Sequence, residues 1–277
     1  MRRVLLGLLA LGLLALALTA YAYHEATSDP IVRRTAIELA DWPQGEPPLR
    51  ALLLSDVHVG GPDMPPERLA RIVVRANALA PDIVLLAGDF ISDKRSGTRD
   101  YPYPEALAPL AALKPRLGTI AVLGNHDHWK DAGEARAALE GVGVRVLDND
   151  AVAAGPLAVG GLDDAFTDHA DLPLTLSRLG ALRGAKILLS HSPDPFAALP
   201  VEVALMLAGH THCGQVAPPL IGPLTTYPKH GERYGCGRSD EAGKTLVVGA
   251  GIGTSILPLR IGAVPDMWLI RIGPRTR

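Results

Sequence analysis

The sequence predicts a layered α/β sandwich with mixed sheets, preceded by one long apolar segment. Two patterns carry that expectation. Short β-branched or leucine-rich runs first alternate with stretches of helical spacing, then give way to strands and loops. Five polar blocks stand directly after such runs, at the strand ends where α/β folds gather their sites: Asp56-Val57-His58, Gly88-Asp89, Gly124-Asn125-His126-Asp127, Ser190-His191 and Gly209-His210-Thr211-His212.

From the N-terminus, Met1-Arg2-Arg3 precedes an uncharged run from Val4 to Tyr23, about twenty residues and enough to cross a hydrocarbon core as a helix. Arg2 and Arg3 lie before the run, Glu25 and Asp29 after it, so the positive-inside bias puts the rest of the chain on the outer side of a bacterial-type inner membrane. Ala20-Tyr21-Ala22 has the small-x-small form of a processing site, and cleavage there would give an exported soluble form instead. Residues 24–48 read as a linker and a leading strand: Asp29-Pro30 and Pro43 to Pro48 resist helix, while Ile31 to Leu39 suits a sheet edge. Residues 49–277 then form the globular domain.

Leu49 to Leu54 reads as a buried strand, and Pro65-Pro66-Glu67 opens a helix to Leu79 with Leu69, Ile72, Val73 and Ala76 on one face. Strand Ile83 to Ala87, helix Glu105 to Leu113, strand Thr119 to Leu123, helix Glu134 to Leu139 and strand Val144 to Leu147 continue the alternation. Further strands are expected at Leu157 to Gly161, Lys186 to Leu189, Ala204 to Leu207, Thr245 to Val248 and Met267 to Ile272. A chain of 277 residues with 48% hydrophobic content buries a full core as one α/β domain or two small ones. A net charge of −2 gives no pull toward nucleic acid, and 4% aromatics disfavour a long stacking cleft. The oligomeric state is not legible.

The five blocks together offer carboxylates, one carboxamide and several imidazoles, a set that suits two adjacent divalent cations better than one tetrahedral zinc or a calcium ion. Cys213 and Cys236 lack the spacing of a zinc site; outside the cytoplasm they are candidates for a disulfide pinning the tail to the site. Arg260, in a Gly/Pro-rich tail, is a candidate phosphate or head-group contact or else a surface arginine. His128 and Trp129 either line the substrate mouth or pack, Asp163-Asp164 is a turn or a supporting pair, and His169 and His230 read as solvated loop residues.

The five blocks resemble the calcineurin-like metallophosphoesterase signature over essentially the whole body, from Leu49 to Ile272. Ser190-His191-Ser192-Pro193-Asp194, His210-Thr211-His212-Cys213-Gly214-Gln215 and the tail Gly251-x-Gly253-Thr254-Ser255-x-x-Pro258-x-Arg260 resemble the bacterial branch with an N-terminal membrane segment or export signal. The resemblance implies a four-layer α/β/β/α sandwich. It implies that Asp56, His58 and His212 bind one metal, that Asn125, His191 and His210 bind the other, and that Asp89 bridges them. The metals would be manganese, iron, zinc or similar. His126 would be the catalytic histidine, oriented by Asp127. Ser92 stands where many members carry a further carboxylate, with Asp93 one residue later.

The implied activity is hydrolysis of a phosphodiester or pyrophosphate bond by a metal-bridging hydroxide, with His126 protonating the leaving oxygen or stabilising charge on the phosphoryl oxygens. The expected partner is a phosphorylated small molecule or a lipid, and a tethered site would raise the local concentration of lipid substrates. UDP-2,3-diacylglucosamine hydrolysis occurs among relatives and is the alternative, although that lipid lies on the cytoplasmic face. A catalytically silent phospho-ligand binder is the alternative from another class.

Overall fold

Alternation of side chains across the strands builds the molecule from two stacked sheets. A computed structural model describes residues 1–94, 96–224 and 231–275, so His230 lies outside the described residues. The chain begins with α1 (Arg2–Thr27) and β1 (Ile31–Leu39). It continues through β2 (Leu49–Leu54), α2 (Pro66–Ala78), β3 (Ile83–Ala87), α3 (Tyr103–Leu107), β4 (Thr119–Val122), α4 (Asn125–Lys130), α5 (Ala132–Gly141) and β5 (Val144–Val146). The second half holds β6 (Asp150–Ala154), β7 (Leu157–Gly161), α6 (Leu172–Gly180), β8 (Ala185–Leu189), β9 (Leu205–Ala208), β10 (Gly237–Glu241), β11 (Lys244–Val248) and β12 (Asp266–Pro274).

One sheet has the order β1-β12-β2-β3-β4-β5 and the other β10-β11-β9-β8-β7-β6. Both are mixed: β12 is antiparallel to β2, and β10 and β6 run antiparallel to their neighbours, while the central pairs are parallel. In β2, Leu49, Ala51 and Leu53 join the core between the sheets, where Val159, Ile187, Leu189, Leu205 and Leu207 come from the opposite sheet. Leu52 and Leu54 point the other way and pack with Leu69, Ile72, Val73 and Ala76 of α2. Leu188, Met206 and Leu246 meet Leu179 of α6 on the far side. Those three cores are the interfaces of a four-layer α/β/β/α sandwich.

Several local expectations needed correction. The Gly124–Asp127 block is the first turn of α4 rather than a loop, because Asp127 at its third position accepts a hydrogen bond from Gly124 N at 3.0 Å. The helix expected over Glu105 to Leu113 is a short α3 followed by a 3₁₀ turn at Ala108–Ala112. Helix α6 was not among the expected elements: Pro173 occupies its first turn, where no N–H is needed, and Asp171 caps the end through Leu174 N at 2.9 Å. The leading strand forms where it was expected. It pairs in parallel with β12 from Ile31 to Leu39 and forms the sheet edge. Helix α1 extends to Thr27, beyond the apolar run, and Ala22, Glu25 and Ala26 are buried against the body.

Candidate metal centre

The C-terminal ends of the parallel strands of both sheets converge, and the five blocks occupy the turns that leave them. Asp56 and His58 follow β2, Asp89 follows β3, Asn125 opens α4 after β4, His191 follows β8, and His210 and His212 follow β9. All seven are buried. Asp56, His58, Asp89, His210 and His212 have φ of 50°, 48°, 57°, 71° and 49°, a left-handed backbone that L-residues adopt at a cost of about 1–3 kcal/mol each. Neighbouring glycines make room for the crowding. A Cβ on Gly124 would sit 2.2 Å from Asp89 Oδ1, and one on Gly209 would sit 2.5 Å from Asp56 Oδ2.

Two clusters of donor atoms result. In the first, His58 Nε2 is 3.2 Å from His212 Nε2, and His212 Nε2 is 3.5 Å from Asp56 Oδ1. In the second, His191 Nε2 is 3.0 Å from Asn125 Oδ1 and 3.1 Å from His210 Nδ1. Asp89 Oδ2 belongs to both, 3.4 Å from His58 Nε2 and 3.2 Å from His191 Nε2. Donors held about 2.0–2.2 Å from a common cation stand about 3.0–3.5 Å apart, so these spacings and this donor chemistry fit divalent metals.

Second contacts fix the presenting atoms. The His191 Nδ1–H donates to the Ala87 carbonyl at 2.7 Å, which turns the Nε2 lone pair into the pocket. Asp56 accepts from His210 N at 2.9 Å, and Asp89 Oδ1 accepts from His126 N at 2.9 Å. Burial holds His58 and His212 well below the ordinary imidazole range and, with His191 beside it, pushes His210 down to about 4. These rings are neutral at pH 7, the form that ligates metal. Burial lowers the His191 imidazole too, but the Asp89 carboxylate overrides it and brings the ring up to about 10, so a metal there displaces a proton. Burial works against ionisation of Asp89, yet the imidazoles of His191, His58 and His126 hold it well below the carboxylate range.

His126 sits at the rim, with Nε2 3.9 Å from Asp89 Oδ2. Its orienting partner differs from the expectation. Asp127 does not touch the imidazole; its oxygens accept from the backbone N–H groups of Asp89 and Phe90 at 2.9 Å and of Gly124 at 3.0 Å, which locks the bridging turn to α4. Asp93 takes the orienting role, with Oδ1 2.6 Å from His126 Nδ1. Burial lowers the His126 imidazole, but the bond to Asp93 and the Asp89 charge outweigh it and raise it above its ordinary value. The signal for Asp93 was a carboxylate one residue beyond its expected position.

Arg260 is also corrected. It is fully buried, and its guanidinium donates to the carbonyls of Gly253, Ala263 and Ala250 at 2.6–2.7 Å, with Nη2 3.2 Å from His212 Nδ1. No donor is left facing solvent for a phosphate, so Arg260 clamps the tail beneath His212. His128 bonds Asp163 at 2.8 Å and stacks on His169 at 4.0 Å. Trp129 lies edge-on to His126 at 4.9 Å, and Phe166, which carried no sequence signal, reaches from Trp129 at 6.1 Å to His210 at 4.8 Å. Beside this aromatic rim a cleft of about 270 Å³ is lined by Asp93, Lys94, Asp100, Trp129 and Lys130. Cys213 and Cys236 form a disulfide next to His212.

Comparison with known proteins fits the geometry. Residues 49–214 match the calcineurin-like phosphoesterase family. The metallophosphoesterase YkuE of Bacillus subtilis (strain 168) is 32% identical over 236 residues, covering 81% of this chain and 79% of that protein. A transmembrane protein with metallophosphoesterase domain from Danio rerio is 31% identical over 263 residues, and the chain spans 88% of its own length and 57% of that relative's. Among solved structures, a 5′-nucleotidase precursor from Thermus thermophilus aligns with a TM-score of 0.46 at 17% identity, covering 74% of this chain and 49% of that one. The chain belongs to the calcineurin-like phosphoesterase family. It is a metal-dependent phosphoric ester hydrolase that uses divalent metal and acts on a phosphorylated substrate.

Proposed function

We propose that the protein is a membrane-anchored phosphoesterase with two divalent cations, hydrolysing phosphodiester or pyrophosphate bonds of lipid-linked substrates on the outer side of an inner membrane. The observation that supports the metal count is Asp89 Oδ2, which is within 3.4 Å of His58 Nε2 and within 3.2 Å of His191 Nε2, and so belongs to both donor clusters. Asp56, His58 and His212 would hold one ion and Asn125, His191 and His210 the other. When bound, the pair neutralises phosphate charge and supplies a nucleophilic water near neutral pH. Asp93 accepts the Nδ1–H of His126 and favours the doubly protonated ring, whose second proton, on Nε2, faces the pocket and would pass to the leaving oxygen. Trp129 and Phe166 stand edge to face beside His126 and His210 and form an aromatic side of the mouth.

Three features support the location. Helix α1 is apolar over a membrane-spanning length, with none of that window buried in the body. Its far end is built into the domain, where Ala22 O accepts from Arg260 N at 3.0 Å, which favours retention over cleavage after Ala22. The Cys213–Cys236 disulfide suits an oxidising compartment and so the outer side. Turnover of bis-p-nitrophenyl phosphate by the full-length protein with Mn²⁺ tests the reaction. Activity abolished by chelator and restored by metal is expected; activity insensitive to chelator would contradict it.

A further inference from the structure

Of the exposed aliphatic side chains outside α1 among the described residues, five lie on two loops: Leu220, Ile221 and Leu224 on one, Ile256 and Leu257 on the other. The loops are stitched together. Gln215 Nε2 donates to the Ser255 and Leu257 carbonyls at 2.8 and 3.0 Å, Ser255 N donates back to Gln215 Oε1 at 2.8 Å, and Ala217 N donates to Ile261 O at 2.7 Å. The joined loops also grip the base of α1. Arg260 N donates to Ala22 O at 3.0 Å, and Gly262 N donates to the buried Glu25 carboxylate at 2.9 Å.

That junction fixes a level along α1. Residues through Tyr21 stand clear of the body, while Ala22, Glu25 and Ala26 are docked. The aliphatic loops are therefore joined to α1 at the turn where the apolar helix leaves the protein, the turn that also holds Tyr21 and Tyr23, residue types that settle at the membrane–water interface. Two of the five side chains are also held at a conformational cost. Leu220 and Ile256 have φ of 72° and 59°, and a β-branched residue in that region is a true outlier. Such strain gathers at functional segments, and projecting aliphatic groups into water offers nothing to offset it.

We propose that the loops carrying Leu220, Ile221, Leu224, Ile256 and Leu257 are a second membrane contact, dipping into the interfacial layer of the bilayer that α1 crosses. Lipid is the occupant the geometry favours because the same layer must already surround Tyr21 and the turn before it. The consequence reaches the active site: Ser255, within the second loop, places Oγ 3.3 Å from His126 Nε2. The catalytic rim then borders the membrane surface, and the phosphoester it meets is one carried on a lipid head group. This inference rests on the retained-anchor part of the function proposed above.

The test uses the full chain reconstituted in phosphatidylcholine vesicles with plain or brominated acyl chains, comparing Ile221→Trp, Ile256→Trp and Val201→Trp with the unmodified protein. Val201 is as exposed as Ile256, at 60% against 57%, but lies before the start of β9, away from the pocket at that strand's other end. The added tryptophans at 221 and 256 should lose at least about half their emission to brominated lipid, and the one at 201 almost none. Quenching no greater than at Val201→Trp overturns the contact. So does a blue-shifted but unquenched tryptophan, which would mean that a protein, such as a second copy, covers the loops. Failure of the unmodified chain to float with the vesicles would overturn both contact and anchor. Turnover of bis-p-nitrophenyl phosphate in the same vesicles reports folding and the hydrolytic reading separately: an active chain with unquenched tryptophans removes only the contact, and a quenched chain without hydrolysis removes only the reaction.

Discussion

The floor of the pocket and its rim are built on different principles. On the floor, seven buried side chains are fixed by left-handed backbone, by glycines pressed against carboxylates and by hydrogen bonds to main chain, as in His191 Nδ1–H to Ala87 O at 2.7 Å. At the rim, His126, Asp93, His128, Asp163, Trp129 and Phe166 hold one another through side chains, and Trp129 is 56% exposed. In the proposed function the floor would hold the metal, and the rim would deliver the proton and border the access to it. Substitutions that separate metal content from turnover are therefore the way to break this division.

The largest effect is expected from Asp89→Ala. Removing the carboxylate shared by both clusters should reduce phosphodiesterase activity to background and leave His58 and His191 without their common partner. Retained activity would show that the floor does not depend on that oxygen. Next is His126→Ala, which should lower kcat by about 10²–10⁴-fold while bound metal, counted by elemental analysis, stays at the unmodified level. Loss of metal in this variant would erase the distinction between floor and rim.

Asp93→Asn should act more gently and through pH. The Asp93 carboxylate favours the protonated His126 ring, so its removal lowers the imidazole's pKa. A general acid works only below its pKa, so the alkaline limb of the kcat profile should move to lower pH. An unmoved limb would mean that Asp93 merely packs. The smallest effect on turnover is expected from reducing the Cys213–Cys236 bond, which lies beside His212 but outside the donor set. Its loss should cost about 3 kcal/mol of stability, read as a lower Tm with reductant, while metal-saturated activity changes less than about threefold. A collapse of activity at saturating metal would place the disulfide in the floor.

What could be read from the sequence follows the same division. The floor residues come in short blocks after apolar strands, so local pattern locates Asp56, His58, Asp89, Asn125, His191, His210 and His212. Strand β2 alternates between two cores, and its boundaries followed from its composition. The rim is assembled from residues far apart in the chain, and no local pattern records which of them touch. The family resemblance assigns Asp127 to orient His126, whereas Asp93 reaches the ring at 2.6 Å. Arg260 was offered as a phosphate ligand because guanidinium suits phosphate; only the folded tail shows its donors spent on carbonyls. Phe166 had no signal, since a single aromatic in a polar loop is ordinary until Trp129 and His210 are found on either side of it.

The most direct test of the central claim is the metal stoichiometry of the full-length protein, purified, stripped, reloaded with Mn²⁺ and counted by elemental mass spectrometry against protein concentration. Two ions per chain are expected, falling toward none in Asp89→Ala. A saturated value of one, or an Asp89→Ala variant that still holds a full complement, would contradict a shared bridging carboxylate and the chemistry built on it.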